Sequence, residues 1–192
     1  MENVVNISFD NDPTLAIKDD GSLWGWGRAT SGEFGDGNTH DVTILSPTKI
    51  MDDVNLLCYN YSPLTVVKND GSVWEWGFGR SRYELSKPYK IMDNIRVISR
   101  SNYEHMLAID NKGVLWGLGD NKYGQLGIGS YENQDKRVRI INGAESIFAV
   151  NGQTYIITNE NLLLACGDNR FGQLGDGTTI CRNRPIKVGG ES

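Results

Sequence analysis

The sequence predicts an all-β chain: a β-propeller, or an arc of one, made of four repeats with four short antiparallel strands in each. Three observations predict it. A stretch rich in glycine and tryptophan recurs in phase along the chain. Each copy carries the period-two pattern of a strand between turn residues. No segment shows helical periodicity for more than about a turn.

The stretch DDGSLWGWG (19–27) returns as NDGSVWEWG (69–77), as NKGVLWGLG (111–119) and, in worn form, as NENLLLACG (159–167). Its last glycines, Gly27, Gly77, Gly119 and Gly167, lie 50, 42 and 48 residues apart. A second block follows in three copies: SGEFGDG (31–37), YGQLGIG (123–129) and FGQLGDG (171–177). A third closes three of them: SPTKIMD (46–52), KPYKIMD (87–93) and RPIKVGG (184–190). Each copy opens on a short apolar run: VVNI (4–7), VNLL (54–57), IRVI (95–98) and AESIF (144–148). The chain begins and ends at one phase, so residues 1–192 read as a single domain of four repeats, approximately 3–52, 53–93, 94–142 and 143–190.

Within a repeat, Leu15-Ala16-Ile17 and Thr65-Val66-Val67 are short apolar strands. Asp19-Asp20-Gly21 and Asn69-Asp70-Gly71 then supply a tight hairpin, because glycine takes the positive φ that such turns need. On the return strand, Trp24 and Trp26 share one face while Leu23, Gly25 and Gly27 share the other. One face is expected to fill a core with indole. The other lets a neighbouring sheet come close. All five tryptophans (Trp24, Trp26, Trp74, Trp76, Trp116) are expected to be mostly buried, with Leu126 and Leu174.

Composition narrows the classes. Hydrophobic residues at 39% and charged residues at 22% are ordinary for a soluble globular protein. A net charge of −5 argues against gripping a nucleic-acid backbone, which needs a basic footprint. No apolar run approaches the roughly 18 residues that span a bilayer. MENVVNISFDND lacks the pattern of a secretory signal, so no membrane is expected and the reading is cytoplasmic. In that setting Cys58, Cys166 and Cys181 read as reduced thiols, with Cys166 a small core hydrophobe. The Asn6-Ile7-Ser8 and Asn60-Tyr61-Ser62 sequons then read as chance.

The compound motif of strand, Asp-Gly turn, aromatic-small-Trp-Gly and Gly-Gln-Leu-Gly-x-Gly resembles the repeat of the regulator of chromosome condensation family. GVLWGLGDNKYGQLGIG and CGDNRFGQLGDG carry it most fully. The resemblance covers nearly the whole chain. It implies a propeller, typically of seven blades, in a family of mostly interaction modules: an exchange factor for a nuclear GTPase, a plant ultraviolet photoreceptor, a bacterial β-lactamase inhibitor. The sequence also departs from that pattern. The family's tryptophan stands as Trp26 and Trp76 but is replaced by Leu118 and Cys166. The family's histidine remains only as His105, with Pro13, Pro63 and Gln153 elsewhere. The second repeat has Phe78-Gly79-Arg80-Ser81-Arg82-Tyr83-Glu84 in place of the Gly-Gln-Leu-Gly block. Trp24, Trp74 and Trp116 inherit no chromophore role.

Catalytic signatures are absent. His40 and His105 lack partners at metal spacing, and no nucleophile elbow, P-loop or dinucleotide fingerprint occurs among 23 glycines. Asp36, Asn38 and Asp41 lack the ligand spacing of a calcium hand. No catalytic residue, metal or cofactor is expected. Binding candidates are instead loop positions: Arg80, Arg82, Tyr83, Lys122, Tyr123, Arg170 and Phe171. Arginine beside an aromatic suits a protein hot spot or an anionic ring-bearing ligand. Alternatively Tyr123 and Phe171 pack under their own loops.

Three functions compete. The first is a non-enzymatic interaction protein, an adaptor or inhibitor of another protein. The second is a small-ligand binder that sequesters an anionic metabolite or nucleotide, such as a phage–host sponge. The third is an enzyme. Four wedge-shaped repeats should leave a gap, so the chain is expected to form a homo-oligomer, most simply a dimer closing one eight-bladed ring. Val4, Val5 and Ile7 of the opening strand and Ile186 and Val188 of the closing strand would join it. A tight four-bladed ring or a piece of a longer propeller are the alternatives.

Overall fold

A computed structural model of the chain describes residues 1–9, 13–58, 63–78, 84–102 and 105–189. They form four four-stranded antiparallel sheets, each a meander of strands consecutive in sequence. The first comprises β1 (Val4–Phe9), β2 (Thr14–Lys18), β3 (Leu23–Ala29) and β4 (Val42–Met51). The second comprises β5 (Val54–Cys58), β6 (Leu64–Lys68), β7 (Val73–Phe78) and β8 (Glu84–Met92). The third comprises β9 (Ile95–Arg100), β10 (His105–Asp110), β11 (Val114–Gly119) and β12 (Gln134–Asn142). The fourth comprises β13 (Ala144–Val150), β14 (Gln153–Thr158), β15 (Leu163–Gly167) and β16 (Arg182–Lys187). The described residues contain no helix, and none long and apolar enough to cross a membrane. The chain divides into two compact units, Met1–Ile95 and Arg96–Ser192.

The Asp-Gly hairpins form as the sequence requires. Gly21 takes φ +78° and Gly71 φ +79°, and in the fourth sheet Asn161 fills the left-handed position at +60°. Asp20 accepts from the Ser22 amide and hydroxyl, and Ser22 Oγ in turn accepts from Trp24 Nε1 at 2.8 Å. Asp70, Ser72 and Trp74 repeat the arrangement. The bonds from Ser22 and Ser72 hold the Asp20 and Asp70 carboxyls below their usual range. In the third sheet Asp110 takes over both tasks, accepting from the Val114 amide and from Trp116 Nε1. Each of these rings thus lies over its own turn with its polar edge bonded, half-buried.

The core of the first unit lies between its sheets. Leu15, Ile17 and Leu23 of the first sheet pack on Val54, Leu64, Val66 and Trp76 of the second. Three hydrogen bonds seam the same junction. Trp76 Nε1 donates to Glu33 O at 2.7 Å, Gly37 N to Ser86 O at 2.9 Å, and Val54 N to Gly21 O at 2.8 Å. In the second unit Leu107, Ile109 and Leu115 meet Ala144, Ile147, Ala149 and Ile156. The seam recurs there at equivalent positions. Cys166 Sγ lies 3.5 Å from Gln125 O, Gly129 N donates to Asn183 O at 2.7 Å, and Ala144 N to Gly113 O at 3.0 Å. Burial pushes the Cys166 thiol up to about 12, so it stays protonated.

Two expectations need correction. Trp76, Leu126 and Leu174 are buried, but Trp24, Trp26, Trp74 and Trp116 are only half-buried. The face bearing Trp76 is covered because the first sheet lies on it, whereas within the first unit no sheet covers the face bearing Trp26. The small face of the return strand does lie against the second sheet, through Leu23, but the glycine at its centre is not what admits that sheet. A Cβ at Gly25 would lie 2.7 Å from Ile50 Cδ1 and 3.1 Å from Leu15 and Phe34, all from the same repeat. The missing side chain makes room for the repeat's own second block.

His105 is buried in the second unit. Its Nδ1 lies 2.7 Å from Ser101 Oγ and its Nε2 lies 3.2 Å from Thr154 Oγ1. Thr154 commits its hydroxyl proton to Gln125 O at 2.7 Å, so the threonine oxygen is left to accept from Nε2–H. Burial pushes the His105 pKa down to about 4.

Two expected outcomes follow from this packing. Trp76→Ala should cost about 3–5 kcal/mol in denaturant unfolding, as large buried residues do, and Trp26→Ala less than half of that. Equal losses would contradict the assignment of faces. For His105 the folded pKa lies below the unfolded one of about 6.5, so protonation favours unfolding. Its contribution is complete above pH 6.5 and declines as pH falls toward 4, by roughly 3 kcal/mol in total. His105→Gln should remove that slope from a stability–pH curve; an unchanged slope would contradict the neutral buried ring.

Candidate functional site

The second blocks of the third and fourth sheets form two loops of one design. Asn121 and Asn169 are fully buried at their roots. Asn121 Nδ2 donates to Ser130 O and Glu132 O, while its Oδ1 accepts from the Leu126 amide. Asn169 Nδ2 donates to Thr178 O and Ile180 O, and its Oδ1 accepts from the Leu174 amide. Gln125 and Gln173 each accept, two residues back, from the amides of Tyr123 and Phe171. The two asparagines and the Gln125 and Gln173 carbonyls hold the loops from within, with Leu126 and Leu174 as buried apolar feet. Sequence reasoning missed both asparagines. Their signal was the shared Gly-Asp-Asn after β11 and β15, where the first repeat has Gly27-Arg28-Ala29.

These anchored loops carry Lys122, Tyr123, Arg170 and Phe171, and bring the first three together. The Arg170 guanidinium lies 4.6 Å from the Tyr123 ring centroid and Lys122 Nζ lies 5.8 Å from it. Arg170 grips Asp168 with two bonds of 2.9 Å, and Lys122 Nζ lies 3.2 Å from Asp120. The Arg170 bonds hold the Asp168 carboxyl below its usual range. Two cations thus face two carboxylates, and the cluster carries no net charge. Tyr123 is half-buried beneath Arg170, whereas Phe171 stands 84% exposed. Of the two loop-packing alternatives, Tyr123 is partly tucked in and Phe171 is not.

Arg80, Arg82 and Tyr83 lie outside the described residues. Val4, Val5 and Ile7 are exposed, while Ile186 and Val188 are half-buried. Among the described residues no group of three or more His, Cys, Asp or Glu side chains could hold a metal ion. Asp36 bonds to Asn38, and Asp41 to Arg28 at 2.6 and 2.9 Å, so those carboxylates turn to protein partners.

No family model matches the sequence. Among solved structures, the chain is similar to human WBSCR16, with a TM-score of 0.78 and 19% identity over 96% of this chain and 52% of that one. It is similar to yeast RCC1 (Prp20), solved with Kap60, with a TM-score of 0.77 and 14% identity over 96% and 48%. It is similar also to Prp20p from Saccharomyces cerevisiae, with a TM-score of 0.73 and 15% identity over 96% and 50%. The chain spans about half the length of these proteins. It has the fold of the RCC1-type β-propellers.

Proposed function

We propose that the protein is a non-enzymatic interaction module, an adaptor or inhibitor, that docks a protein partner on the loops of its third and fourth sheets. The observation that carries this reading is Phe171, an aromatic 84% exposed on a loop whose amides at Arg170, Phe171, Gly172 and Leu174 are held by hydrogen bonds. A rigid, solvent-facing aromatic beside an arginine–tyrosine stack is the composition of a protein hot spot. Holding the loop in advance removes ordering entropy from binding. Two of the structures similar to this chain are of a protein studied with protein partners, Kap60 in one case and Gsp1p and histones in the other. Capture of an anionic metabolite draws less support, because Asp120 and Asp168 already occupy the cations such a ligand would need.

The reading is tested with tagged protein and an extract of the source organism, comparing partners retained by the unsubstituted chain and by Phe171→Asp. Loss of a hot-spot contact is worth about 2 kcal/mol or more, which is roughly a 30-fold weaker complex. The specific partner should therefore be lost while the melting temperature stays the same. A nucleotide panel should leave that temperature unmoved. Partners retained in full by Phe171→Asp, or a nucleotide-dependent rise abolished by Arg170→Ala, would contradict the proposal.

A further inference from the structure

Asn151 and Gly152 are the two turn residues between β13 and β14, whose register closes with Val150 opposite Gln153. Asn151 takes φ +41°, in the left-handed region, whereas Gly152 does not take positive φ. A two-residue hairpin turn with positive φ at its first central position alone is of type II′. That position ordinarily belongs to glycine, so the asparagine side chain there carries strain.

The same turn sets the torsion for a reaction. Type II′ gives its first central residue a ψ of about −120°. At that ψ the Cα–Cβ bond of Asn151 eclipses the bond from its carbonyl carbon to the Gly152 nitrogen, which is the shape of a five-membered ring. Gly152 brings no Cβ to obstruct the approach. Asn151 is exposed, and among the described residues neither its carboxamide nor the Gly152 amide has a hydrogen-bond partner.

The chain holds a second Asn-Gly pair, Asn142-Gly143, in a different setting. Asn142 ends strand β12 opposite Val114, and its Oδ1 accepts from Arg139 Nη2. Antiparallel backbone has ψ of about +135°, which turns the Gly143 nitrogen away from the Asn142 Cβ. The Asp-Gly pairs are tied as well: Asp20 and Asp70 accept from Ser22 and Ser72, Asp36 from Asn38 and Asp176 from Thr178.

The strained turn also touches the candidate site. Gly152 O accepts from the Asp168 amide at 2.9 Å. A Cβ on Gly152 would lie 2.9 Å from Tyr123 Cδ2 and 3.5 Å from Asp168 Cβ, so this glycine is a wall of the Tyr123–Arg170 stack.

We propose that Asn151 is a site of self-modification, at which the Gly152 nitrogen attacks Asn151 Cγ and closes a succinimide against the Tyr123–Arg170 stack. The bond from Gly152 N to Cγ forms and the bond from Cγ to the carboxamide nitrogen breaks. That nitrogen leaves as ammonia, taking the proton lost by the Gly152 amide. Water then opens either imide carbonyl and leaves aspartate or isoaspartate at position 151. Both products add a negative charge, and isoaspartate lengthens the turn by a methylene. Any bearing on partner docking rests on the function proposed above; the chemistry does not, and it is read without a partner.

The whole chain is held in mildly alkaline buffer, either folded or in urea, and conversion at each asparagine is followed by peptide mass spectrometry and enzymatic methylation of isoaspartate. In urea the two Asn-Gly pairs should convert at similar rates. In the folded protein Asn151 should convert no more slowly than in urea and at least about tenfold faster than Asn142, a barrier difference of about 1.4 kcal/mol. NMR of the converted protein should show displaced signals for the Tyr123 ring and Arg170 Nε–H. Asn151→Gly, which suits the turn, should stay folded and unconverted there. Equal folded-state rates at Asn142 and Asn151, protection of Asn151 by folding, or unmoved Tyr123 and Arg170 signals would each overturn the proposal.

Discussion

A loop carbonyl roofing the next sheet is the contact on which the rest of this structure depends. Glu33 O receives the Trp76 indole and Gln125 O receives the Cys166 thiol and the Thr154 hydroxyl. Burying a sheet face against another removes apolar area from water but leaves the polar edges of both sheets to be satisfied. The seam does both at once. It explains why the second block is so rich in glycine: a Cβ at Gly35 would lie 3.0 Å from Trp76 Nε1, and one at Gly127 3.0 Å from Cys166 Sγ. It also links stability to display, because the loop that roofs the junction of the third and fourth sheets is the one that carries Lys122 and Tyr123.

Much of this was legible in the sequence, because it is local. The hairpins at Gly21 and Gly71 follow from turn chemistry, and the four sheets follow from the phase of the repeats. Cys166 as a core hydrophobe was also legible, since it stands where the repeat places a tryptophan. The burial of the tryptophans was not. Trp26 and Trp76 occupy the same position in their repeats, and what separates them is whether a sheet precedes theirs within the unit. Period-two patterning gives the face of a strand but not what covers that face.

The candidate site divides the same way. Loop position and residue type singled out Lys122, Tyr123, Arg170 and Phe171; the first three meet around the Tyr123 ring, while Phe171, next to Arg170 in the chain, stands in solvent. What the sequence could not reveal was the charge balance. Asp168 and Asp120 precede the cations by two residues, a spacing that becomes a pairing only once Asn169 and Asn121 fold the loop back. That pairing shifts the chemistry from an anion trap toward a rigid, neutral, aromatic-tipped surface.

Amide hydrogen exchange tests the central claim most directly. If the seam holds the sheets together, the amides of Gly37, Gly129, Val54 and Ala144 should exchange only with opening energies close to those of the central strands β2 and β14. Their sequence positions at loops and strand starts would otherwise make them fast. Exchange of all four at the rate of exposed loop amides would contradict the account.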